Sequence, residues 1–344
     1  MKNPEILLIN DIHVSKDNIQ EFHANWNEAL DICKKHGIKD IVVGGDLWQS
    51  RSAQTLSTLL AVRQMIQKTI RHDIRLTIAE GNHDLVDQEA FDGYSHLFAD
   101  YDNVDVVDDY ISWEIGRGVM FYVMSYFPEN GSFTNRLNEL IDNDLDTTKT
   151  NILYIHEGIN GALATASDNE LPTHIFQPFD KVLVGHYHNR CVIKDTNIEY
   201  IGASRQHGFG EDEEKGYTIL YSDGSYEFVK NQVNIRYKTI DVDISQLNTI
   251  PSMLAELKEQ NYKVRVRVSC VSEEVKNINR KLLLEAGATK VEIAATEAEI
   301  TKLKSQSLDK KYDKTGIKNE YQDFCLDRGI CNVETGLYYL DKIS

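Results

Sequence analysis

Seven side chains able to ligate a metal stand just past short apolar runs, all before residue 190. They are Asp11 and His13 in NDIH, Asp46 in GGDLW, Asn82 in GNHD, His156 in YIHEG, and His186 and His188 in GHYH. Side chains that follow the carboxyl ends of strands in an open α/β sheet converge on one crevice. Two carboxylates, an amide oxygen and four imidazoles give mixed oxygen and nitrogen donors without sulfur. That is too many for one tetrahedral zinc and suits two five- or six-coordinate divalent ions sharing a carboxylate. Two ions about 3.5 to 4 Å apart clamp a phosphoryl group and activate water, so the chemistry indicated is phosphoester hydrolysis. The pair His186 and His188 alone would equally suit a polar strand end. The other strand ends decide between the two readings.

The elements that must position these residues are legible in the apolar periodicity. EILLI (5–9), DIVVGG (40–45) and RLTIAEG (75–81) read as buried strands. Between them lie helical patterns over about 18–36, with Asp17 as N-cap and Gly37 as C-cap, and over about 53–70. This is βαβαβ, hence a parallel sheet covered by helices. Strand pairs follow over 104–126, then NILYIH (151–156) and KVLVGH (181–186); NIEYIG, YTILYS, SYEFVKN and RYKTIDVD read as successive antiparallel strands. Two sheets facing each other between helices are expected. A smaller unit is expected after residue 244, with a helix near 250–259, the alternating strand YKVRVRVSC, a helix near 273–286, the strand TKVEIAA and short helical patterns at 316–328 and 334–342.

A chain of 344 residues accommodates one large core and a smaller appendage. It contains no apolar run long enough to span a bilayer, and MKNPEILLIND has no signal-peptide pattern, so a soluble cytoplasmic protein without membrane association is expected. Cys33, Cys191, Cys270, Cys325 and Cys331 are scattered without a CxxC pair, against a disulfide framework or a thiolate zinc site. The formal net charge of −17 repels a polyphosphate from the average surface. Binding to nucleic acid would have to be local or assisted by a partner.

The ordered set DxH, GD, GNHD, a lone His after a strand, and GHxH resembles the calcineurin-like metallophosphoesterase superfamily. The resemblance implies a four-layer α-β-β-α sandwich (1–244), a smaller α+β capping domain (245–300) and a C-terminal helical segment (301–344). It implies that Asp11, His13 and His188 hold one divalent ion, that Asn82, His156 and His186 hold the other, and that Asp46 bridges them. His83 would protonate the leaving oxygen, with Asp84 in support. Mn2+ is the foremost ion, with Mg2+, Fe2+ or Zn2+ as alternatives.

Serine/threonine protein phosphatases of this superfamily read GDxxDRG, whereas this chain reads GDLWQSR, with Gln49 in place of the second Asp and Arg51 one place late. The nuclease branch is more similar, namely the SbcD subunit, its double-strand-break repair counterparts and the phage recombination endonuclease subunit. GGDLWQSRSAQTLSTL, HEGING and YIGASRQHGFGEDEEKG resemble its segments, the last with Tyr200, Gly202, Phe209, Glu211 and Lys215. Gln49 departs from the His or Asp usual there, and an amide cannot stabilise an imidazolium by charge. The resemblance implies a DNA exonuclease/endonuclease of repair or recombination whose C-terminal helices, with Tyr338 and Tyr339, dock on an SbcC-like coiled-coil ATPase, and a homodimer is compatible with it. Lys263, Arg265 and Arg267 alternate with valines, so one strand face could touch a DNA backbone or simply be solvated. His207, near the expected cleft, is a candidate substrate contact. The competing readings are a stand-alone phosphoesterase for a small substrate such as a nucleotide, and a metal-free binding scaffold.

Overall fold

The computed structural model describes residues 2–87, 92–128, 131–163 and 170–295, together with Lys318, Tyr321, Gln322, Cys325, Val333, Gly336, Leu337 and Leu340. Residues 1–237 and 238–344 form two compact units.

The first unit opens with β1 (Pro4–Ile9), α1 (Ile19–His36), β2 (Asp40–Gly44), α2 (Leu56–Arg71), β3 (Arg75–Ala79) and β4 (Val104–Val107). It continues with β5 (Tyr110–Gly116), β6 (Val119–Met124), α3 (Ser132–Asn143), β7 (Thr150–Ile155), β8 (Lys181–Val184), β9 (Cys191–Val192), β10 (Ile198–Tyr200), β11 (Gly216–Tyr221) and β12 (Tyr226–Lys230). Two six-stranded sheets result, in the orders β12-β11-β1-β2-β3-β4 and β5-β6-β7-β8-β10-β9. β1 to β4 are parallel, as are β6, β7, β8 and β10, with antiparallel strands at the flanks.

Strand alternation builds the layers. Ile6, Leu8 and Val42 point into one buried cluster with Phe121, Val123, Ile152, Tyr154 and Leu183 of the second sheet. Leu7, Ile9, Ile41 and Val43 point the opposite way, onto Phe22, Trp26, Leu30, Val62 and Ile66 of α1 and α2. On the far side, Tyr122, Leu153, Ile155 and Val182 bury Phe133, Leu137 and Leu140 of α3. A side-chain period of two sends each strand's apolar residues to both faces, so strands covered on both sides read as continuous apolar runs. The layers are therefore α-β-β-α, as expected.

Some local expectations change. α1 ends at Gly37 with a left-handed φ of 72°, but its N-cap is Asn18, whose side chain caps nothing in the helix. Asn18 instead donates to the His13 carbonyl at 2.8 Å. NIEYIG, expected among antiparallel strands, gives β10, which runs parallel to β8, because its chain returns through the two-residue β9.

The second unit contains β13 (Arg236–Asp243), α4 (Ile250–Glu259), β14 (Tyr262–Cys270), α5 (Arg280–Glu285) and β15 (Ala288–Ala295), with the sheet order β13-β14-β15. The division falls inside β13, ahead of residue 244, because β13 pairs with β14. Val264, Val266 and Val268 are buried with Leu254, Leu257 and Leu283. The helix expected over 273–286 is shorter, a 3-10 turn at Ser272–Asn277 preceding α5. Most of the expected C-terminal helices, including Tyr338 and Tyr339, lies outside the described residues. Among the described residues no helix is long and apolar enough to cross a membrane.

Candidate metal centre

The loops after β1 and β2 zip together in parallel. The Asp11 amide donates to the Gly45 carbonyl (3.1 Å), those of Ile12 and His13 to the Asp46 carbonyl (2.9 and 3.0 Å), and that of Val14 to the Leu47 carbonyl (2.8 Å). This register holds Asp11, His13 and Asp46 at φ of 50°, 50° and 54°, and His186 after β8 stands at 85°. Left-handed backbone at non-glycine residues costs of order 1 kcal/mol or more each and persists only where neighbours over-determine it. The buried Asp84 carboxylate supplies part of that, accepting the amides of Gly81, Asp46 and Trp48 at 2.6, 2.8 and 2.9 Å. Burial, reinforced by repulsion from Asp46, pushes Asp84 up to about 7. Its role is to staple two loops, since its oxygens are committed to backbone.

Glycines let the strand ends approach. Gly45 has φ 96°, and a Cβ there would fall 2.3 Å from Nδ1 of His156. One at Gly185 would fall 2.8 Å from the same atom. Gly45 and Gly185 thus leave the space that the imidazole occupies.

Within this frame the expected donors meet. Asp46 Oδ2 lies 3.5 Å from Nε2 of His13 and 3.3 Å from Nε2 of His156, between members of the two expected ligand sets. Asp11 Oδ1 is 3.9 Å from Nε2 of His156 and 3.9 Å from Nε2 of His188. The Nε2 atoms of His13 and His188 are 3.1 Å apart, and Nδ1 of His186 is 3.2 Å from Oδ1 of Asn82.

The donor chemistry fits cations. Nδ1 of His156 faces the Gly44 carbonyl at 3.0 Å, so it carries a hydrogen and leaves Nε2 as the atom that would meet a cation. That Nε2 is buried without a hydrogen bond, between two carboxylates. His188 is oriented the same way, with Nδ1 on Oε1 of Glu211 at 2.8 Å. Metal-ligating histidines tie down their second nitrogen in this manner. Charge balance agrees. Burial opposes a charged His156, yet Asp46 and Asp11 outweigh it and push the imidazole up to about 10. Burial drives His13 and His186 the other way, down to about 3. A divalent cation would supply the positive charge that the two buried carboxylates otherwise draw from protons.

His83 is half-buried at the rim, its ring 4.9 Å from that of His13. Its amide donates to Asp46 Oδ1 at 2.8 Å, and its Nδ1 meets the backbone carbonyl of Gln49 at 2.8 Å. The Gln49 side chain, expected to matter by its chemistry, is exposed, and the contact uses only its backbone. Arg51 is exposed on the same loop, its carbonyl held by the Tyr94 hydroxyl at 2.9 Å. Arg265 and Arg267 lie on the second unit's sheet, where Glu292 is 3.7 Å from Arg265 and Asp241 is 3.2 Å from Arg267. Lys290 of β15 also meets Glu292, at 2.7 Å, so the acids that β13 and β15 place beside the arginines neutralise that face in part.

Several contributors carry little or no signal in the sequence. Glu211 orients His188; the Asn10 amide bonds the Asp11 carboxylate and, at 3.0 Å, the Gly202 carbonyl; buried Arg205 donates to the Ile12 carbonyl at 3.2 Å. Only the acid of FGE, at residue 211, points to the first. The others lack periodicity or motif.

No protein-family model matches the chain. It is 28% identical over 262 residues to 244L of Invertebrate iridescent virus 6, named as a phosphoesterase, covering 73% of this chain and 89% of that one. Protein 078R of Invertebrate iridescent virus 3, named likewise, is 25% identical over 246 residues, with 69% and 67% covered. The SbcD component of nuclease SbcCD from Staphylococcus epidermidis is 27% identical over 208 residues, with 52% of this chain and 54% of that one covered. Among solved structures, Pseudomonas putida nuclease MPE aligns over 63% of this chain and 84% of that one at 14% identity and a TM-score of 0.29. A dimetal phosphatase from Danio rerio aligns over 56% and 85% at 9% identity and a TM-score of 0.36. The chain is thus similar in sequence to proteins named as phosphoesterases and to a component of a nuclease, and its own motif residues gather in one cleft.

Proposed function

We propose that this metal-dependent phosphoesterase is a two-metal phosphodiesterase that cleaves DNA as an exonuclease/endonuclease subunit working with a coiled-coil ATPase. The observation that carries the reading is Asp46 Oδ2 between Nε2 of His13 and Nε2 of His156, at 3.5 and 3.3 Å. In this reading Asp11, His13 and His188 hold one divalent ion, Asn82, His156 and His186 the other, and Asp46 is shared. Two such ions supply Lewis-acid polarisation of the phosphoryl oxygens and an acidified water.

The chain's own residues do the rest. The Gln49 carbonyl accepts Nδ1–H of His83 and fixes the ring, leaving Nε2–H to protonate the leaving oxygen as the P–O bond breaks. Asp46 Oδ1 accepts the His83 amide, so the shared ligand and the acid are held in one unit. Glu211 and the Gly44 carbonyl keep the lone pairs of His188 and His156 facing the cleft.

DNA as substrate is supported by the similarity to the SbcCD nuclease component. The net charge of −17 favours an assisted enzyme, in which an ATPase docked on residues 301–344 contributes the grip on DNA. The test is degradation of linear DNA by the full-length chain with its ATPase, Mn2+ and ATP. Absence of cleavage there, together with fast hydrolysis of nucleotides by the chain alone, would replace this reading with a small-molecule phosphoesterase.

A further inference from the structure

One more imidazole stands among the donors already assigned. His207, in the loop between β10 and β11, has its ring centroid 4.9 Å from that of His13 and 4.7 Å from that of His188. A ring nitrogen from each of the three lies within 4.8 Å of the others. The histidine is fixed from two directions. Its amide donates to Glu211 Oε2 at 3.1 Å, the carboxylate whose other oxygen orients His188. Its Nε2 meets the Asp11 carbonyl at 2.8 Å; a carbonyl only accepts, so Nε2 carries the hydrogen and Nδ1 keeps the lone pair. His156 is arranged in the same way against the Gly44 carbonyl. Simple ring packing would leave three imidazoles crowded in a poorly solvated place, two of them with nitrogens 3.1 Å apart.

We propose that His207 is a third imidazole ligand of the cation held by His13 and His188. The two metal positions are then unlike. The position of Asp11, His13, His188 and the shared Asp46 then carries three imidazoles, against two at the position of Asn82, His156, His186 and Asp46. The inference rests on the two-metal reading above, and the experiment separates the two.

The full-length protein is titrated with Co2+ alone, by calorimetry and visible absorption, as wild type, His207→Gln, His207→Ala and Asp46→Asn. The wild type is expected to bind two equivalents. Both His207 variants are expected to weaken one equivalent by roughly tenfold or more and to alter its absorption band, with the second equivalent intact. A folded His207→Gln protein with both equivalents and both bands unchanged would overturn the role of His207 while sparing the two-metal site. Fewer than two equivalents in the wild type, with Asp46→Asn no weaker, would overturn both. Histidine 15N spectra of the wild type need no variant. On Zn2+ addition Nδ1 of His207 is expected to leave its free lone-pair position, and an unmoved resonance would contradict the proposal.

Discussion

Asp46 and His83 sit within one hydrogen bond of each other, yet opposite behaviour is expected of them. Asp46→Ala removes the carboxylate shared by both ligand sets, so metal stoichiometry and turnover should fall together, read by elemental analysis and by hydrolysis of a chromogenic phosphodiester. His83→Ala should keep both metals and the melting temperature while turnover falls about 10²- to 10⁴-fold, the usual worth of a positioned acid. Retained turnover in that variant would remove His83 from its role. Gln49→Ala should stay close to wild type, because the contact to His83 uses the backbone carbonyl, whereas the side-chain identity suggested a handicap. A spacing pattern reveals which residue follows a strand but not whether its side chain or its backbone makes the contact. The same holds at the start of α1, where the sequence points to Asp17 as N-cap and Asn18 stands instead, its amide bracing the His13 carbonyl rather than the helix.

At the level of elements, the strand ends are readable because buried parallel strands are uninterrupted apolar runs and the polar residues after them stand out. What lies between β10 and β11 is readable only as a resemblance. Segment 204–215 has no period, so the contact of Glu211 with His188 and the place of Arg205 beneath the Ile12 carbonyl emerge from the fold. The short α5 and the parallel β10 escape for a related reason, since both are set by packing partners distant in the chain. Gly45 tests the packing of these ends. Its φ of 96° and the 2.3 Å approach of His156 to a Cβ predict that Gly45→Ala loses more than about 1 kcal/mol and weakens metal binding. Urea midpoints with and without Mn2+ would check both. Cys33, on the buried face of α1, offers a titration. Burial, with Asp40 adding repulsion, pushes its thiol up to about 12. Its contribution to stability is complete below the ordinary thiol value and is lost as pH rises from there through about 12, because the unfolded chain ionises first. In the folded protein Cys33 should resist thiol reagents at pH 9, and modification at the rate of an unfolded control would contradict this.

For the whole molecule, charge decides how a polyphosphate is approached. The balance of −17 leaves little long-range attraction. The arginines of β14 lie beside Glu292 and Asp241, a partial neutralisation that an alternating sequence cannot disclose because the acids come from neighbouring strands. The Arg265→Ala/Arg267→Ala variant should therefore change the slope of log Kobs against log salt for DNA by less than about one unit. A larger drop would make that face a DNA contact. The cleft itself is judged most directly by hydrolysis of bis(p-nitrophenyl) phosphate during titration of metal-stripped protein with Mn2+. The rate should climb to a plateau at two equivalents and stay flat in Asp46→Ala; hydrolysis without metal, or a plateau at one equivalent, would contradict a two-metal phosphodiesterase.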